Sequence, residues 1–329
     1  MTEATKKLRR RWLYVPYAVA GIIVIAYYFL WQAGASEMKK AIGNWAADQR
    51  EIGIDVQYDA LKSDGFPFFL RVHVENPKII TQGGEISWYT ERLSLDALPY
   101  DLNKLIFSSR TEQVTFIDGF GEWRTTAEDF RFSIANDKDH GWKFAATINS
   151  LRANRPQDNQ TVELETLLLG LMPETEGGST LVLSMKLEEL TKLHGQERID
   201  LANMRALIAL TQTDLLDDQA LWRENGGALV ISGLEAQIEQ SKLAVAGQIT
   251  LDENNAPAGQ LNTEITAPAA MIKAIEKLDL LSKDDAEQLS ASLTLAAIAG
   301  GGKISSPIEL ENGAASIAGT KIADLPRFK

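Results

Sequence analysis

The chain has 329 residues, 33 of them basic and 45 acidic, with a formal net charge of −12 and no cysteine. Without cysteine, disulfides, thiolate nucleophiles and cysteine-based zinc sites are excluded. An apolar share of 45% is that of a folded globular chain rather than a disordered one.

The first element is Trp12–Trp31, WLYVPYAVAGIIVIAYYFLW, which has no charged side chain. About 20 such residues match the helix needed to cross ~30 Å of hydrocarbon. Lys6, Lys7, Arg9, Arg10 and Arg11 precede it, which predicts a cytoplasmic N-terminus. Trp12, Tyr14 and Tyr17 at one end, and Tyr27, Tyr28 and Trp31 at the other, suit the two aromatic belts of a spanning helix. A cleavable signal peptide is the rival reading, with Ala33-Gly34-Ala35 as the small-residue cleavage site. The length of the apolar run and its bulky aromatic end favour an uncleaved anchor over 12–35, following a basic tail over 1–11. Both readings place the chain after Ser36 beyond the membrane. That part holds 28 basic and 44 acidic residues, a net charge near −16, which disfavours nucleic acid and anionic headgroups as partners.

Residues 36–53 are expected to continue outward as a stalk helix, with Met38, Ile42 and Trp45 on one face and Gly53 ending it. From 54 to 200 the period changes to two. Ile54, Val56, Tyr58 and Ala60 alternate with polar residues, and so do Leu70, Val72 and Val74 in the expected partner strand. Lys62–Phe68 lies between them as a turn. Phe66-Pro67 is a candidate cis bond, and the phenylalanines flanking Pro67 are expected to cap the core. Further strand-like runs cover 86–96, 104–116, 121–135, 142–151, 161–169 and 180–187, with a short helix expected over Leu187–Leu193. This rhythm predicts an antiparallel β region.

From 201 to 329 the pattern is mixed. Ile199–Thr211 reads as a long strand and Asp214–Asn225 as a short helix. Leu229, Ile231, Leu243, Val245 and Ile249 restore the two-residue period, and a turn over Asp252–Gly259 leads to another strand. Pro268–Leu281 and Asp284–Ile298 are predicted helices, the first burying Met271, Ile272, Ile275 and Leu278. The tail is a hairpin turning at Asn312-Gly313. ENGGALVISG at Glu224–Gly233 is echoed by ENGAASIAG at Glu311–Gly319, a hint of an internal repeat. The fold class is therefore mainly β: an N-terminal transmembrane helix, then an antiparallel curved sheet or sandwich with a few helices packed on it.

No motif carries chemistry. His73, His140 and His194 are far apart and lack ligand spacing, and there is no Gly-x-Ser-x-Gly elbow. Asn136–Gly141 has lysine and histidine where a calcium loop needs oxygen ligands, so it reads as a turn. Asp252–Asn255 offers oxygens, but hairpin loops use these residues routinely. No catalytic, cofactor or metal residue is assigned.

SDGFPFFLRV at Ser63–Val72 and KISSPIELENGAASIAGTKIADLP at Lys303–Pro326, together with the anchor, resemble a family of bacterial envelope proteins catalogued as a domain of unknown function. Residues Gly227–Ile265 also resemble the C-terminal repeats of AsmA-like proteins. The second resemblance implies an inner-membrane anchor and a curved periplasmic sheet with an apolar groove that passes lipid. Leu70, Val72, Val74, Leu229, Ile231, Leu243, Val245 and Ile249 are the candidates for its inner faces, and a sealed sandwich core is the competing arrangement. The expectation is a non-enzymatic, single-pass protein of the bacterial inner membrane with a periplasmic domain. The bilayer is a partner through the anchor, and a lipid ligand fits the groove. The alternative is an envelope scaffold docking protein partners through sheet edges or the stalk.

Overall fold

The computed structural model describes residues 14–137, 141–174, 179–194, 197–277, 293, 297–298, 303–317 and 320–326. The basic tail, Trp12, His140 and most of the helix expected over Asp284–Ile298 lie outside them. The chain is mainly β and divides into two units, Met1–Phe107 and Ser108–Lys329.

The first unit opens with one continuous helix, α1 (Val15–Glu51). At 1.5 Å per residue its 37 residues span about 55 Å, well beyond the hydrocarbon thickness. Pro16 occupies the first turn, where its missing N–H is not needed, and Gly53 at φ +86° redirects the chain beyond the helix. β1 (Asp55–Gln57), β2 (Ala60–Asp64), β3 (Leu70–Glu75), β4 (Lys78–Ile80), β5 (Ile86–Thr90), β6 (Arg92–Leu98) and β7 (Asp101–Ser109) follow. β3 is flanked by β2 and β6, both antiparallel to it. Its alternation is strict: Leu70, Val72 and Val74 are buried while Arg71, His73 and Glu75 are half-buried. The buried row packs with Leu95 and Ala97 of β6 and with Trp31, Ala35 and Met38 of α1. Gly34 lets the helix approach, since a Cβ there would lie 3.0 Å from Leu70 Cδ1. Ala46 is fully buried, whereas Trp45 is 48% exposed. The inner stripe is thus 35, 38, 42 and 46, and the bulky indole expected on it stands at its rim.

The polar row of β3 is an electrostatic ladder. Arg71 makes a two-pronged pair with Asp96 at 2.5 and 2.7 Å, and Glu75 accepts from Arg92 at 3.1 Å. His73 sits between them with Nδ1 2.9 Å from Ser94 Oγ. Burial, then the charges of Arg92 and Arg71, push its pKa below the ordinary value; Asp64 and Glu75 oppose this more weakly.

The second unit starts with the hairpin of β8 (Gln113–Ile117) and β9 (Gly121–Thr126). An antiparallel meander of long strands follows: β10 (Asp129–Asp137), β11 (Gly141–Arg155), β12 (Gln160–Pro173), β13 (Leu181–His194) and β14 (Glu197–Leu210). After α2 (Gln219–Glu224) it continues through β15 (Leu229–Ile238), β16 (Ser241–Leu251) and β17 (Pro257–Thr266). Then come α3 (Pro268–Lys277), β18 (Lys303–Glu311), β19 (Ala314–Ile317) and β20 (Thr320–Asp324), with Asn312-Gly313 turning β18 into β19. The sheet is open. Asp218 caps α2 by accepting from Ala220 and Leu221 N–H at 3.1 Å, and Trp222 Nε1 donates to Thr211 O at 2.8 Å. Asp252 Oδ1 accepts from Asn254 and Ala256 N–H, closing the turn between β16 and β17. The two echoed phrases stand in different settings, one ending α2 and the other forming a hairpin.

Leu187–Leu193 is strand, not helix, and the reason is informative. Pairing runs regularly on both sides of Ser150, Glu165, Glu189 and Ala202, which form one transverse line across β11–β14. Ser150 and Glu189 there have φ near +50°, and β14 bulges against β15 between Leu201 and Asn203. The apolar alternation changes phase at that line. Leu187 and Leu190 therefore stand three apart, which imitates helical spacing.

Two outcomes test this account of the first unit. Leu70→Ala empties a site that is 1% exposed, so it should cost about 2–5 kcal/mol in denaturant unfolding of the full chain in micelles. Because the folded state lowers the pKa of His73, the unfolded chain binds more protons just below pH 6.5, and stability should fall as pH drops through that range. His73→Gln should flatten the decline, read from unfolding midpoints of both proteins across pH 5–7.5.

Candidate functional site

Directly paired residues on antiparallel strands share a sheet face, so the register of the second unit assigns its faces. One transverse row runs Phe130, Ile148, Leu167, Leu187, Met204, Ala236, Leu243, Ile265 and Ile304 from β10 to β18. The next runs Phe132, Ala146, Leu169, Met185, Ala206, Leu234, Val245, Thr263 and Ser306. A third begins Ile134, Phe144, Leu171, Leu183, Ile208 and Ile231, and a fourth begins Pro173, Leu181, Leu210, Leu229 and Ile249. No charged side chain falls in these rows. With strands ~4.8 Å apart and paired rows ~6.8 Å apart, the apolar face measures about 38 Å across the strands and about 20 Å along them.

The opposite face of the same strands is mixed, carrying charged pairs among apolar side chains such as Leu168, Met172 and Leu207. Lys186 and Glu188 pair there at 2.7 Å, and Arg198 pairs with Asp200 at 2.9 Å. The Arg198 hydrogen bond, with help from Thr191, holds the Asp200 carboxyl below its usual range. Charged side chains thus stand on the outward rows of β13–β15, such as Lys186, Arg205 and Glu235, and none on the four inward rows.

The apolar face is covered unevenly. At the C-terminal side Met271 and Ile272 of α3, with Leu293 and Ala297, pack on Ile199, Ile238, Ile265, Ile304 and Ile317. That end is a closed core. Toward β10–β14 the large side chains, among them Phe130, Phe132, Phe144, Leu169, Leu183 and Met185, are only half-buried. Two glycines shape the middle. Gly247 at φ +155° and Gly259 at φ +144° leave 2.2 Å between an added Cβ and a carbonyl oxygen of the neighbouring strand. Only glycine permits this close backbone approach.

The residues singled out from the sequence separate into two groups. Leu229, Ile231, Leu243, Val245 and Ile249 lie together on the apolar face, with Leu243 packed against the closed core and Leu229, Val245 and Ile249 half-buried. Leu70, Val72 and Val74 do not line an open surface; they are at most 5% exposed and sealed beneath α1. Sequence reasoning missed the β10–β14 part of the face, although its signal, alternation within each strand, was there. Among the described residues no group of three or more His, Asp or Glu could hold a metal ion.

Of the aromatic belt residues, Tyr14, Tyr17 and Tyr28 are exposed, at 63%, 76% and 45%. Tyr27 and Trp31 instead turn toward the β2–β3 loop: Tyr27 OH donates to Pro67 O at 2.6 Å and Trp31 Nε1 to Phe69 O at 2.7 Å. Phe66-Pro67 is cis, and Phe66 packs on Tyr27, Tyr28 and Trp31. Phe68 caps no core, being 74% exposed. α1 is long and apolar enough to cross a membrane, a test that a membrane anchor and a signal sequence both meet.

No curated protein and no solved structure matches the chain. A family model described as an uncharacterized protein conserved in bacteria, DUF2125, matches residues 31–326, nearly all of the chain beyond the apolar segment, and the chain belongs to that family.

Proposed function

We propose that the protein is a single-pass inner-membrane protein whose second unit seats lipid acyl chains on its apolar sheet face, on the periplasmic side. The observation that carries this reading is the uncharged face of about 38 by 20 Å, closed by α3 at one end and half-buried over most of β10–β14. An apolar surface of that size in water is unfavourable by roughly 25 cal/mol per Å². One leaflet's acyl chain is about 15 Å long, half the hydrocarbon thickness, and fits along the strands. The similarity of Gly227–Ile265 to AsmA-like repeats points the same way.

Retention of the anchor has its own support. Trp31 and Ala35 are 5% and 1% exposed and belong to the core of the first unit. Cleavage after Ala35 would cut through α1 and remove the indole that holds Phe69. The basic residues before Trp12 then set the N-terminus in the cytoplasm. The activity is binding and guidance rather than catalysis, and its place is maintenance of the cell envelope.

The full chain, purified in mild detergent, should retain phospholipid detectable by mass spectrometry. Met185→Asp, which puts a charge in the middle of the face, and Ala146→Trp, which fills it, should each lower the retained lipid severalfold at unchanged circular dichroism. Lys186→Ala on the opposite face should leave it unchanged. Equal lipid in all four proteins would contradict the reading, and stoichiometric protein partners in place of lipid would turn it toward a scaffold.

A further inference from the structure

We propose that the β2–β3 loop, Gly65–Phe69, is an aromatic wedge that inserts into the membrane interface beside the anchor, on the side away from the N-terminus. The inference rests on the reading of α1 as membrane-spanning and adds a second point of contact with the bilayer.

Position comes first. The uncharged run of sequence from Trp12 to Trp31 is long enough, as helix, for about 28 Å, close to the hydrocarbon thickness. Tyr27–Trp31 therefore falls at the far boundary, where aromatic rings are favoured. The loop is fastened at that level by the hydrogen bonds of Tyr27 and Trp31 to Pro67 O and Phe69 O and by the Phe66 ring, 5.4 Å from Tyr28 and 5.7 Å from Trp31. It cannot move along the helix without losing all of these.

Composition comes second. Phe66, Phe68 and Phe69 are 40%, 74% and 46% exposed, and Phe29 and Leu30 on the helix are 67% and 65% exposed. Gly65 to Leu70 contains no charge. In water such clustering is unfavourable, but in the interface it is an anchor.

The backbone comes third. Peptide groups entering apolar surroundings need partners. Gly65 O accepts from Phe68 and Phe69 N–H at 3.1 and 2.9 Å, and Asp64 Oδ1 accepts from Gly65 N–H at 2.7 Å. Pro67 has no N–H, and its oxygen and that of Phe69 are taken by α1. Gly65, at φ +98°, allows the turn to close, since a Cβ there would lie 2.8 Å from Phe69 O. The loop thus satisfies most of its own polar groups and presents rings outward.

The absence of cysteine makes each introduced one a unique label site. Four full-length variants, Phe68→Cys, Phe69→Cys, Ile23→Cys and Glu85→Cys, carry a nitrobenzoxadiazole label and are reconstituted into phosphatidylcholine vesicles with or without acyl-chain-brominated lipid. Ile23, 61% exposed in mid-span, reports the anchor. Glu85 follows Gln82, which lies beside Gly53 just past the far end of α1, about 35 Å of helix beyond Tyr28. The expected result is a blue-shifted emission lost to bromolipid at positions 23, 68 and 69, and a water-like, unquenched emission at 85. Quenching at 23 with water-like labels at 68 and 69 would overturn the wedge and leave the anchor standing. No quenching at 23 would overturn the anchor and the wedge with it. Equal quenching at 85 and 68 would also overturn it, because the contact would then not be local.

Discussion

A sheet with one apolar face must have that face covered, and the two units meet this requirement differently. In the first unit α1 lies on β3 and β6, with Gly34 letting it approach Leu70, and the result is a sealed core around Leu70, Val72 and Val74. In the second unit α3 closes the C-terminal end around Ile265 and Ile304, and the face runs on across β10–β14 half-buried. The same pattern of alternating side chains makes a closed core in one place and a half-buried face in the other. What differs, among the described residues, is the helix that covers it.

The helix of the first unit also ties the apolar segment to the fold. Trp31 and Ala35 belong at once to the uncharged run and to the core, so the folded unit starts inside the apolar segment rather than after it. A family match that begins at residue 31 has the same boundary. The proposed role in handling lipid draws on two separate features, this apolar helix in the first unit and the apolar sheet face in the second.

Much of this was legible in the sequence because period two survives in isolated strands. Leu229, Ile231, Leu243, Val245 and Ile249 share one face, since β15 and β16 are joined by a tight turn and pair with each other. The long tail hairpin was legible from Asn312-Gly313 for the same local reason. What local pattern could not supply was the partner. Leu70, Val72 and Val74 read like the others, and only the packing of α1, thirty or more residues earlier, makes them a core. The phase change along Ser150, Glu165, Glu189 and Ala202 hid the second half of β13 in the same way: a left-handed residue inside a strand resets the alternation, and the spacing then looks helical. Trp45 was expected inward from its spacing with Met38 and Ile42, and Phe68 from its place beside Pro67, but small Ala46 and the loop's hydrogen bonds to α1 decide those positions.

The central claim is that acyl chains lie on the inner rows of β10–β15. Photocrosslinking in membranes containing a phospholipid with a photoreactive acyl chain tests it most directly, with adducts mapped by peptide mass spectrometry. Adducts are expected on inward residues such as Phe144, Leu169, Met185 and Ile208, and none on their outward neighbours Lys186 and Arg205. Adducts confined to α1 and the Gly65–Phe69 loop, with the second unit unlabelled, would contradict it.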